Sequence, residues 1–170
     1  TFILKPKDLR ADYALRIFTP QCEMPFAGHP TIGSCVAWSH WGEMSKGKNK
    51  IVQECEIGLV EIHQRGSITA FVAPATEISQ MPSNKLKALC RNLSIPEKKV
   101  ISAAILRNGP TFHVLELADA SSVLKLEIPR PVEEIGFIGL FGRCFDKSDT
   151  DYEIRMLDSR NAIEDPITGS

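Results

Sequence analysis

Segments in which apolar and polar side chains alternate make up much of the chain, and they form two series. Residues 51–55, 58–63 and 68–72 make the first; with the turn Gln64-Arg65-Gly66-Ser67 between the last two, they predict a small antiparallel meander. Residues 100–107 and 111–117 make the second, joined by the turn Asn108-Gly109-Pro110. Residues 15–19 are β-rich, and residues 152–157 read as a strand. Helical spacing appears in residues 84–93 and after the loop that opens at Phe26, where Ile32, Val36 and Ala37 recur at near-helical intervals up to Trp41 and Gly42 supplies a stop. Residues 45–50 read as a solvated, lysine-rich turn and residues 74–83 as a linker. Residues 120–126 favour neither helix nor strand, and residues 135–145 are apolar and broken by glycine. The pattern as a whole predicts an α+β protein.

The order of elements recurs, and so does a phrase. His29-Pro30-Thr31-Ile32-Gly33-Ser34 is matched by Asp165-Pro166-Ile167-Thr168-Gly169-Ser170, and Leu15-Arg16-Ile17-Phe18 upstream of the first has a loose counterpart in Ile154-Arg155-Met156-Leu157. Two similar halves follow from this, 1–97 and 98–170. Proline is favoured at the first helical position, because its missing N–H would lack an intrahelical partner anyway. His29 and Asp165 are therefore expected as N-caps, Asp165 being the stronger. The small residues beyond allow close approach, and the positive end of a helix favours an anion. Two such helix starts facing one cleft would hold a carboxylate between an imidazole and a carboxyl group.

Composition narrows the classes. A net charge of -1 gives no electrostatic case for nucleic acid or an anionic membrane, and no segment is apolar enough over sufficient length to cross a bilayer. Five cysteines without a regular framework read as reduced thiols of a cytosolic protein. Cys22, His29, Cys35 and His40 match no zinc spacing, so no metal is expected, and Asp146, Asp149 and Asp151 lack the calcium-loop pattern. His63 and His113 lie in strand patterns, where packing or exposure is the default. Trp38 and Trp41 read as core. Glu23 and Glu164, beside the two phrases, read as solvated or structural. No histidine follows Ser170, and its surroundings are not those of a nucleophile elbow.

The run Leu15-Arg16-Ile17-Phe18-Thr19-Pro20, followed by Glu23-Met24-Pro25-Phe26-Ala27-Gly28-His29-Pro30-Thr31-Ile32-Gly33-Ser34, closely resembles the signature of the phenazine-biosynthesis PhzF-like family, in look nearest to its fungal members. Glu164-Asp165-Pro166-Ile167-Thr168-Gly169-Ser170 resembles that family's second signature. The resemblance implies a diaminopimelate-epimerase-like fold: two pseudo-symmetric halves, each a curled, mostly antiparallel sheet around a central helix, with the active site in the cleft between them. It implies His29 and Asp165 as catalytic residues, Gly28, Gly169 and Ser170 as substrate-binding residues, and a homodimer. It also implies isomerisation of a small anionic metabolite without a cofactor.

Related epimerases and proline racemases use paired cysteines at the corresponding helix starts. Ala27 and Pro166 stand there in this chain, so thiol two-base chemistry is not expected. The family's principal acid/base glutamate lies just before a Thr-Phe-Ile segment, here Thr1-Phe2-Ile3, and is expected outside these 170 residues. The chain is accordingly expected to be the middle portion of a full-length member, its second half stopping at the central helix. The alternative on the same scaffold is a non-catalytic small-molecule-binding or protein-interaction protein.

Overall fold

A computed structural model describes residues 1–20, 22–41, 48–128, 131, 135–145 and 149–166. Gly42, expected to stop the first helix, and Asp146 lie outside the described residues. The described residues form two mixed sheets and few helices, the expected α+β class. The chain divides into two compact units, one built from Thr1–Ala75 with Asn108–Pro110, the other from Thr76–Arg107 and the chain from Thr111 to Pro166.

In the first unit the strands are β1 (Phe2–Leu4), β2 (Tyr13–Phe18), β3 (Glu23–Met24), β4 (Lys50–Cys55), β5 (Gly58–Arg65) and β6 (Ile68–Phe71). They run in the order β1-β2-β4-β5-β6, with β3 paired to the end of β2. The predicted meander is β4-β5-β6, antiparallel throughout. Tyr13, Leu15 and Ile17 alternate inward from β2 and meet Ile51, Val60 and Ile62 in one core. β2 and β4 are parallel, so a crossover must join them, and it carries α1 (Gly28–Trp41).

The buried stripe of α1 is not the apolar one read from the sequence. Gly28, Thr31, Ser34 and Cys35 face the sheet, whereas Val36 is exposed and Ile32 half-buried. Small side chains let the helix axis come close to the strands. The hydroxyl this buries at Thr31 accepts a hydrogen bond from the Gln53 side-chain amide at 3.2 Å, and the Gln53 carbonyl accepts from the Tyr13 hydroxyl at 2.9 Å. Trp38 stacks on Tyr13 with centroids 5.4 Å apart, but Trp41, expected in the core, is 83% exposed.

The second unit contains β7 (Glu77–Gln80), α2 (Ser83–Asn92), β8 (Val100–Arg107), β9 (Thr111–Leu117), α3 (Ala120–Leu124), β10 (Phe137–Arg143), β11 (Tyr152–Asp158) and β12 (Ile163–Asp165). Its sheet runs β12-β11-β10-β9-β8-β7, with β9 and β10 parallel and α3 in their crossover. Met81, Leu89, Leu93 and Ile95 pack with Leu115, Leu140 and Leu157. That shared core draws α2 into this unit and pairing to β8 adds β7, so the division falls at 75/76 rather than at the expected 97/98.

β7 replaces part of the expected linker. All four of its residues are exposed, so backbone pairing to β8 makes it a strand and no alternation announces it. The undecided stretch after Asp119 is α3, capped by the Asp119 carboxylate accepting from the Ser122 N–H at 2.6 Å. Gly142 has to be glycine. A Cβ there would collide with the Asp119 carbonyl.

Candidate functional site

The first phrase begins α1. The Ala27 carbonyl accepts the first helical bond, from the Thr31 N–H at 3.2 Å, so Ala27 is the N-cap and His29 lies inside the first turn. The expected N-cap role of His29 is thus corrected. Pro30 fits two positions later than expected, because every residue of the first turn lacks an intrahelical acceptor for its N–H and a missing one costs nothing. No acidic residue sits in that turn, so no carboxylate of the helix itself offsets its positive end. Gly28 is buried and His29 exposed. A solvent-facing imidazole beside unsatisfied helical N–H groups suits an anionic, proton-exchanging ligand.

Beside the same helix runs a groove of about 730 Å³, lined among others by Phe2, Leu4, Pro30, Ser34, Trp38 and Trp41. Ser34 and Thr1, both in its lining, are joined by a bond from the Ser34 hydroxyl to the Thr1 hydroxyl at 3.5 Å.

The second phrase lies in the other unit. Asp165 ends β12, paired opposite Met156, and its side chain is exposed. An extended residue followed by proline is the conformation an N-cap requires. Gly169 and Ser170, with the helix expected to follow Pro166, fall outside the described residues.

Each phrase is preceded by the same ion pair. Arg16 donates from Nε to Glu23 Oε1 at 2.8 Å and from Nη2 to Oε2 at 2.7 Å; Arg155 makes the same two bonds to Glu164 at 2.9 and 2.7 Å. Both pairs close a hairpin diagonally, since Glu23 lies opposite Phe18 and Glu164 opposite Leu157, each two residues beyond the arginine. The arginine beside each glutamate holds its carboxyl below the usual range. In the sequence the two arginines belong to the repeat and the two glutamates adjoin the phrases, with nothing to join them. The missing signal was hairpin register.

The thiols take no part in this arrangement. Cys35 and Cys90 are buried, and burial pushes the thiols of Cys35, Cys55 and Cys90 up, which keeps them protonated near neutral pH. His63 pairs with Glu61 at 2.9 Å, in a cluster with Lys50, and His113 is buried. Among the described residues no group of three or more His, Cys, Asp or Glu side chains could hold a metal ion, and no helix is long and apolar enough to cross a membrane.

The family model described as phenazine biosynthesis-like protein matches residues 1–170. Antisense-enhancing sequence 1 of Schizosaccharomyces pombe is 40% identical over 134 residues, covering 74% of this chain and 45% of that protein. Trans-2,3-dihydro-3-hydroxyanthranilate isomerase of Pseudomonas aeruginosa is 29% identical over 179 residues, covering 100% of this chain and 60% of that protein. The chain therefore spans 45% of the first relative's length and 60% of the second's. Among solved structures, the Bacillus anthracis phenazine biosynthesis protein of the PhzF family superposes with a TM-score of 0.73 at 21% identity, over 99% of this chain and 61% of that one. A hydroxyproline epimerase from Agrobacterium vitis superposes with a TM-score of 0.58 at 13% identity, over 91% of this chain and 50% of that one. These two likenesses show a shared fold.

Proposed function

The chain belongs to the phenazine biosynthesis-like protein family, and from that premise we propose that it serves as a cofactor-independent isomerase that moves a proton on a small carboxylate-containing metabolite. The carrying observation is the first turn of α1, where exposed His29 stands beside helical N–H groups with no acidic residue in the turn. Gly28, Gly169 and Ser170 bind the substrate carboxylate in this reading; His29 and Asp165 exchange the proton. Each positioned acid/base group contributes roughly 10²–10⁴ in rate. The relatives named trans-2,3-dihydro-3-hydroxyanthranilate isomerase support the reaction class. Thiols read as reduced support a cytosolic setting, and a homodimer is the assembly to look for by sedimentation.

The test is deuterium wash-in from D2O by the full-length protein, over a panel of small unsaturated acids and amino acids. Exchange that disappears in His29→Ala and Asp165→Asn supports the reading. A panel with no exchange, or exchange indifferent to both substitutions, sinks it.

A second reading is a non-catalytic binding or interaction protein on the same scaffold. What favours it is the relative at 40% identity, whose name refers to antisense enhancement rather than to an isomerisation. Calorimetric binding of a panel acid without deuterium uptake would select this reading.

A further inference from the structure

We infer that the Arg155–Glu164 pair is a positioning device for Asp165, and that the similar Arg16–Glu23 pair has no such duty toward His29. The inference rests on the proposed role of Asp165 in proton transfer.

Hairpin register separates the two copies of the phrase. Ile17 lies opposite Met24 in the first unit and Met156 opposite Asp165 in the second, while Glu23 and Glu164 occupy matching places next to them. The residue of the first unit equivalent to Asp165 is therefore Met24, which is half-buried against its core, and not His29. In the first unit Pro25, Phe26, Ala27 and Gly28 intervene before the histidine, and Phe26 is anchored in the core. In the second unit the titratable residue follows the paired glutamate directly.

Adjacency matters because β12 is only Ile163–Asp165 and is the outermost strand of its sheet among the described residues, where so short a strand frays readily. Successive strand residues point to opposite faces, so fixing Glu164 on one face fixes the departure of Asp165 from the other. Arg155 can do this because it is itself held. Its side chain is only 12% exposed, and its Nη1 donates to the carbonyls of Val123 at 3.0 Å and Leu126 at 2.6 Å, at the end of α3. Arg16 is 55% exposed, and no such carbonyl contact is found among the described residues.

The experiment compares Glu164→Gln, Arg155→Lys and Glu23→Gln in the full-length protein by amide hydrogen exchange at Asp165 and by steady-state deuterium uptake. Misplacing a reacting group by an ångström costs on the order of 10²-fold, so kcat falls about 10- to 100-fold in Glu164→Gln with KM within about threefold, and Asp165 amide exchange rises about tenfold. Arg155→Lys keeps the charge but loses the two-point bond and does not rescue; Glu23→Gln stays within about twofold. Unchanged Asp165 amide exchange in Glu164→Gln overturns the inference, as does full activity in Arg155→Lys. No deuterium uptake by the unaltered protein, with the amide effect present, would refute the proton-transfer reading and leave the positioning of Asp165 standing.

Discussion

Gln53 joins Thr31 to the sheet: its side-chain amide donates to the Thr31 hydroxyl at 3.2 Å while its carbonyl accepts from Tyr13 at 2.9 Å, and all three residues are buried. This short polar chain sets the rotation of α1 two residues beyond His29. Replacing Gln53 by Leu removes the amide partner of two buried hydroxyls at once. Stability is expected to fall by about 1–3 kcal/mol in urea titration, since a buried polar group left unpaired carries its full desolvation cost. An unchanged midpoint would show that the chain of bonds does not hold the helix.

Gly142→Ala should destabilise the second unit by about 1–3 kcal/mol, the usual cost of overpacking, because the new methyl meets the Asp119 carbonyl, which is backbone and cannot swing aside. Gly136→Ala, at a φ of 75° with open space where the methyl would project, costs less through clash and more through conformation. The two alanine variants therefore separate packing from backbone strain in thermal melts.

Stability should also fall through His113 as the pH drops below 6.5. Burial depresses its imidazole below the ordinary value of 6.5, with Lys85 adding to the effect and the Phe137 and Ile135 backbone pulling against it. The sign follows from proton binding. In this window the unfolded chain takes up a proton that the folded one refuses, so stability is present above pH 6.5 and lost as pH falls, with a slope of at most about 1.4 kcal/mol per pH unit. The depressed carboxyls of Asp158 and Glu164 lose their contributions only at lower pH. His113→Leu should flatten the urea midpoint below pH 6.5, and a profile that stays as steep would assign the loss elsewhere.

Thiol chemistry offers a further check. Cys22 is exposed, whereas Cys35 and Cys90 are buried. A bulky thiol reagent should label Cys22 in the native state well before either buried thiol, and Cys22→Ser should leave deuterium uptake within about twofold. Loss of exchange in Cys22→Ser would bring sulfur back into the mechanism.

The legible parts of the fold were those in which one side of an element is wet and the other dry. β4, β5 and β6 alternate because their sheet has a single core face, and β8 and β9 declare themselves through the turn between them. β7 stayed hidden because it buries nothing. α1 misled differently: its buried face is made of glycine, serine, threonine and cysteine, which hydrophobic periodicity does not count. The phrases containing His29 and Asp165 could be found by eye, but their unequal relation to the hairpins depends on which residue lies across from which.

The parallel pairing of β2 with β4 also bears on how unit 1 folds. Tyr13 and Gln53 are separated by 40 positions, so bringing them together costs about 3 kcal/mol of loop closure before any contact repays it. The β4-β5-β6 meander closes over short turns and can form early. α1 lies inside the long loop and cannot settle until that loop shuts. The first turn of α1 is therefore expected to order late in folding and to open early in unfolding, which limited proteolysis around His29 would read as early cleavage there.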